Sequence, residues 1–123
     1  MLKRYDLTWR PGLAYLVGLM ASDGCIMDYF YYINFTSNDV DLLEVFKGIL
    51  KLEAKISRKN SRTGSRGYHI QLKSKQLHGF FIKIGLTPRK SKTMGPIKIP
   101  KKYFFHFLRG VFDGDGSTYS YWD

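Results

Sequence analysis

The chain has 123 residues, of which 44% are apolar and 16% aromatic, so it has room for one domain with a buried core and is too apolar for a disordered tail. Lys and Arg outnumber Asp and Glu by 20 to 10, a net charge of +10, and residues 54–112 carry 15 of those cations with no acid among them. So lopsided a field repels itself and calls for a polyanionic partner, nucleic acid before a membrane surface. Cys25 is the one cysteine, which leaves no internal disulfide and no cysteine zinc cage; His69, His78 and His106 stand apart without ligand spacing. No apolar run reaches the roughly 18 residues that span a bilayer. Residues 1–6 lack the apolar segment of a secretory signal. The expectation is a soluble, intracellular protein, cytoplasmic or organellar.

The elements follow in chain order. Pro11 suits the entry to a helix whose stripe is Leu13, Leu16, Val17 and Met20, ended by Asp23 with Gly24 as its C-cap. Residues 25–37 read as extended, with Tyr31, Ile33 and Phe35 alternating against Tyr32, Asn34 and Thr36. Ser37 or Asn38 is expected to cap a second helix. Asp39, Asp41 and Glu44 favour its first turns, and Leu42, Leu43, Val45, Phe46, Ile49 and Leu50 form its buried face, with Lys47 and Lys51 at its end. A second strand pair is expected at 54–58 and 68–73, joined by the basic, glycine-bearing loop 59–67; His69, Gln71 and Lys73 face away from Tyr68, Ile70 and Leu72. Ser74 caps a helix that runs to Ile84 and stops at Gly85. A short strand is expected over 86–94. The last helix is expected from near Lys102 to Asp115 and Gly116. Helices and strands mix without βαβ alternation, so the fold class is α+β with an antiparallel sheet.

Two segments match at a constant offset of 92 residues: Leu16-Val17-Gly18-Leu19-Met20-Ala21-Ser22-Asp23-Gly24 and Leu108-Arg109-Gly110-Val111-Phe112-Asp113-Gly114-Asp115-Gly116. Gly18 and Gly110 would let two helix backbones approach, bringing Asp23 and Asp115 to the same end. A carboxylate at a helix C-terminus is electrostatically unfavourable, and a facing pair more so. A hard divalent cation such as Mg²⁺ relieves that repulsion, and the free carbonyls of Ser22 and Gly114 add oxygen ligands.

These nonapeptides resemble the signature of the LAGLIDADG homing endonucleases. The first has Ala21 where the signature has its earlier Asp; the later, metal-binding Asp is present in both. The segments Asn34-Phe35-Thr36-Ser37-Asn38-Asp39-Val40-Asp41-Leu42-Leu43 and Gly85-Leu86-Thr87-Pro88-Arg89-Lys90-Ser91-Lys92-Thr93, followed by Ile99-Pro100, are also similar to family members, so the resemblance covers nearly the whole chain. It implies an αββαββα unit with a four-stranded antiparallel saddle in the DNA major groove, plus the second motif helix. The first repeat would span about 10–100 and the start of a second about 101–123.

What the resemblance implies about function is a site-specific DNA endonuclease that makes double-strand breaks by metal-dependent phosphodiester hydrolysis, leaving short 3′ overhangs. Asp23 and Asp115 would be catalytic and would hold Mg²⁺ with Ser22 and Gly114, Mn²⁺ or Ca²⁺ substituting in binding. An assisting lysine would be Lys90 before Lys92, with Lys98 next. The DNA contacts would be Asn34, Thr36, Arg58, Lys59, Arg62, Arg66, Gln71 and Lys73, with Gly18 and Gly110 at the helix interface. The partner would be duplex DNA with a long recognition site. The chain runs only seven residues past the second motif, where a complete two-motif member continues through a second saddle. That suggests a split gene or fragment, or two chains that associate by exchanging the second helix. The alternatives are a non-cleaving DNA- or RNA-binding derivative, such as a maturase or regulator, and an inactive half-enzyme.

Overall fold

The computed structural model describes residues 4–27, 30–60, 66–86 and 97–114, with the backbone alone for Asp23, Lys59, Asn60 and Arg66. Helix α1 (Pro11–Asp23) starts on Pro11, whose missing N–H costs nothing in the first turn. Gly24 is its C-cap in an extended conformation, and strand β1 (Gly24–Ile26) begins on that same residue, with no loop between. A Cβ on Gly24 would come within 2.6 Å of the Met20 carbonyl oxygen, so the abrupt exit from the helix needs a glycine.

Strand β2 (Tyr32–Ser37) returns antiparallel to β1. Tyr31 does not extend it, contrary to the alternation. Phe30 and Tyr31 form the turn, both with positive φ (54° and 58°), and Tyr31 is exposed. Helix α2 (Val40–Leu50) is capped by Asp39, one residue later than the sequence suggested. Its carboxylate accepts from the amides of Asp41 and Leu42, while Ser37 Oγ takes the Asp39 amide. Leu43, Phe46 and Leu50 are buried as expected, but Val45 is 45% exposed: it falls outside the stripe those three define.

Strands β3 (Ile56–Asn60) and β4 (Arg66–Lys73) take up both ends of the loop expected between them. The sheet order is β1-β2-β4-β3, antiparallel throughout. Helix α3 (Lys75–Ile84) is capped by Ser74 Oγ on the Leu77 amide and closed by Gly85 at φ 114°, as the sequence indicated. Leu86 is buried; the rest of the strand expected to Met94 lies outside the described residues. A 3₁₀ turn (Lys101–Tyr103) leads into helix α4 (Phe104–Gly114), so the α-helix begins two residues after Lys102.

The core lies on one face of the sheet. Ile33, Phe35 and Ile70 are fully buried there with Leu16, Leu43 and Phe81, and the Phe35 ring stacks on Phe46 at 4.7 Å. The fold class expected from the sequence is the one observed, α+β with a four-stranded antiparallel sheet. The N-terminal arm is pinned alongside. Gln76 bonds both the amide and carbonyl of Tyr5, Trp9 packs on Phe80 at 5.7 Å, and Arg10 donates to the Ile49 carbonyl. Among the described residues no helix is long and apolar enough to cross a membrane.

Candidate active site and nucleic-acid interface

α4 packs on α1 with the backbones in contact. A Cβ at Gly18 would overlap the carbonyl oxygen of Phe107 and lie 2.9 Å from Gly110 Cα; a Cβ at Gly110 would overlap the Tyr15 carbonyl oxygen. One helical stretch on, a Cβ at Gly114 would overlap Ser22 Oγ. Gly18 faces Gly110 and Ser22 faces Gly114, so the packing register repeats the 92-residue offset of the two segments and the helices run parallel. Their C-terminal ends therefore meet. α1 ends on Asp23, and α4 is described as far as Gly114, the residue before Asp115 in sequence.

The carboxylate of Asp23 and the whole of Asp115 lie outside what is described, as do Lys90, Lys92 and Arg62. What is on view at that end is compatible with a cation. The C-terminus of α1, with its outward carbonyls and partial negative charge, lies beside the last described turn of α4. The Ser22 hydroxyl turns back to donate to the Leu19 carbonyl at 3.0 Å. Among the described residues no group of three or more His, Cys, Asp and Glu side chains converges. Lys98 is exposed, its amide donating to the Ile84 carbonyl.

A feature the sequence reading passed over joins the same helices. The Tyr15 hydroxyl donates to Asp113 Oδ2 at 2.6 Å. Asp113 is the earlier Asp of the second segment, at the place Ala21 holds in the first. The signal was the presence of that acid in one copy only.

The opposite face of the sheet is polar. By register it carries Cys25 on β1, Tyr32, Asn34 and Thr36 on β2, His69, Gln71 and Lys73 on β4, and Ser57 on β3. Gln71, Lys73 and Ser57 are exposed and Thr36 is half-buried. Asn34 is only 8% exposed, between Cys25 and Gln71, and its Oδ1 accepts from Thr36 Oγ1. Arg58 departs from the expected face. It pairs with Tyr68 and shares the parity of Ile56, so it is exposed on the helix-bearing side. Lys59 pairs with Gly67, and Arg66 with Asn60, in the backbone ladder. His69, not singled out from sequence for a functional role, lies between Thr36 and Ser57 with its Nδ1 buried and without a partner among the described residues.

A four-stranded antiparallel sheet backed by helices, with a helix pair packed through Gly18 and Gly110, defines the class. The family model for the LAGLIDADG-like domain matches residues 11–85. An uncharacterized protein of Methanocaldococcus jannaschii is 32% identical over an alignment covering 93% of this chain and 42% of that protein. The chain belongs to the LAGLIDADG family, whose members bind DNA, and it spans about two fifths of the length of this relative.

Proposed function

We propose that the chain is part of a site-specific DNA endonuclease that makes metal-dependent double-strand breaks. The observation that carries this reading is the α1–α4 register, Gly18 on Gly110 and Ser22 on Gly114, in a chain whose two motif segments each continue in sequence to an Asp-Gly pair and whose net charge is +10. Asp23 and Asp115 would hold the metal, Mg²⁺ by the hardness of the donors, with the carbonyls of Ser22 and Gly114. A divalent ion there supplies charge neutralisation at the phosphate and a water of lowered pKa. The protein's part would be to hold two carboxylates where helix dipoles disfavour them by roughly 0.3–1 kcal/mol each, a cost that a cation would relieve. Lys90 or Lys92 would assist at the transition state.

The open sheet face would lie in the major groove. Gln71 suits adenine, and Thr36, Lys73 and the basic β3–β4 hairpin with Lys59, Arg62 and Arg66 would divide between base edges and phosphates. Asn34 would contribute after a rotamer change, and Arg58 from the flank would reach phosphate.

The outer face of α4 supports a second saddle. Phe105, Leu108 and Phe112 are exposed, and they are the repeats, at +92, of Leu13, Leu16 and Met20, which are buried on the first sheet. The same kind of apolar stripe therefore awaits the same kind of sheet, from a further repeat or from a second copy of this chain exchanging its helix. The test is Mg²⁺-dependent scission of a pooled DNA library, with the ends sequenced. Recurring cut sites that vanish on chelation support an endonuclease. Duplex binding without scission would point to a non-cleaving derivative instead.

A further inference from the structure

A cleft of about 730 Å³ opens where the N-terminal arm, the β1–β2 turn and the start of α3 meet. Its lining includes Arg4, Tyr5, Tyr31, Lys73, Lys75 and Gln76. Three of these are cations and none of the described lining residues is acidic; among the described residues no carboxylate bonds Arg4, Lys73 or Lys75. The cleft is held in shape. Gln76 Oε1 accepts from the Tyr5 amide at 2.7 Å and Gln76 Nε2 donates to the Tyr5 carbonyl at 3.0 Å, so Arg4 is carried at the rim. The Ser74 amide donates to the Tyr31 carbonyl, which ties the turn to the head of α3.

The cleft is continuous with the open sheet face, because Lys73 belongs to both: it is the last residue of β4 and lines the cleft. Two large aromatics mark the shared edge. Phe30 is 66% exposed and Tyr31 42%, each in the left-handed region that bulky residues avoid. Lys73 Nζ lies 5.7 Å from the Phe30 ring centre, and Lys75 Nζ 5.9 Å from that of Tyr31. Cations interleaved with exposed rings suit a sugar–phosphate chain, the charges for phosphates and the rings for the apolar faces of the sugars.

We propose that this cleft takes the backbone of duplex DNA flanking the stretch that the sheet face covers, with Arg4 and Lys75 as its phosphate ligands. The inference rests on the DNA-binding reading above and extends the footprint beyond the saddle. It also assigns the N-terminal arm a binding role.

The test compares the wild type with the Arg4→Ala/Lys75→Ala double variant by fluorescence anisotropy, on mixed-sequence duplexes of about 12 and about 30 base pairs over a salt series. Each phosphate contact contributes about 0.9 to the slope of log K against log salt, so the variant is expected to lose about 2 from that slope on the long duplex and nothing on the short one. Both side chains are on the surface, and an unchanged thermal melt checks that the fold is intact. An unchanged slope on the long duplex, or equal losses on both lengths, would overturn the inference while leaving the saddle reading in place. Failure of the wild type to bind either duplex would remove the DNA-binding reading itself, and this inference with it.

Discussion

Tyr15 and Asp113, 98 residues apart in sequence, are joined by a 2.6 Å hydrogen bond across the α1–α4 pair. The bond ties the first motif helix to the second near the last described turn of α4, so it opposes rotation of α4 against α1. A hydrogen bond to a charged acceptor contributes about 1.5 kcal/mol or somewhat more. Tyr15→Phe is therefore expected to lower stability by about that much in a denaturant titration, with the ring's packing kept. No change in the midpoint would show that the bond is immaterial.

The glycines of the two helices separate into two kinds. Gly18→Ala drives a methyl into backbone atoms of α4 that have nowhere to go, and is expected to cost about 3 kcal/mol and to part the helices. Gly48, in α2, has nothing within 4 Å of an added Cβ. Gly48→Ala is expected to stabilise by about 0.5–1 kcal/mol through the unfolded chain's lost freedom. Thermal or chemical unfolding of the pair decides it; similar effects of the two would contradict the close-packing argument.

Repeat-equivalent leucines should behave differently in this chain. Leu16 is fully buried and Leu108 is 38% exposed. Leu16→Ala is expected to cost about 2–5 kcal/mol, and Leu108→Ala to stay within about 0.5 kcal/mol. If a second saddle is restored, the Leu108 substitution should become costly too, which calorimetry of the assembled form would register.

The arm has a titratable anchor. The Thr8 hydroxyl, then the Thr8 amide, and more weakly the charges of Arg10 and Lys51, hold the Asp6 carboxyl below its ordinary 3.8. A depressed folded pKa means that the turn's contribution is complete above about 3.8 and is lost as pH falls through the lower, folded value. Thr8→Ala should move the Asp6 carboxyl titration, followed by NMR, back up toward 3.8.

Much of this was legible along the chain because the signals are local. Ser74 and Gly85 bracket α3 as cap and stop, and the spacing of Leu16 and Gly18 against Leu108 and Gly110 pointed to the helix pair and its register. The misses have physical causes. Ser37, Asn38 and Asp39 can all cap a helix, and only the chain's path selects Asp39. The turn at Phe30 and Tyr31 carries neither Gly nor Asn, the usual bearers of positive φ, so alternation ran through it. Arg58 looked like a saddle residue by charge, whereas the pleat counts from Ile56 and turns it to the other side. The basic cleft joins Arg4 to Lys73 and Lys75 across some seventy positions, and the Gln76–Tyr5 bonds that help bring them together leave no local mark in the sequence.

The most direct test of the endonuclease reading sets Asp23→Asn and Asp115→Asn beside the wild type, with Mg²⁺-dependent double-strand scission and DNA affinity measured on the same preparations. The expected result is that each substitution abolishes scission while affinity stays within a few-fold, because the two helix ends serve chemistry and the saddle serves binding. Scission by either variant at the wild-type rate would contradict it.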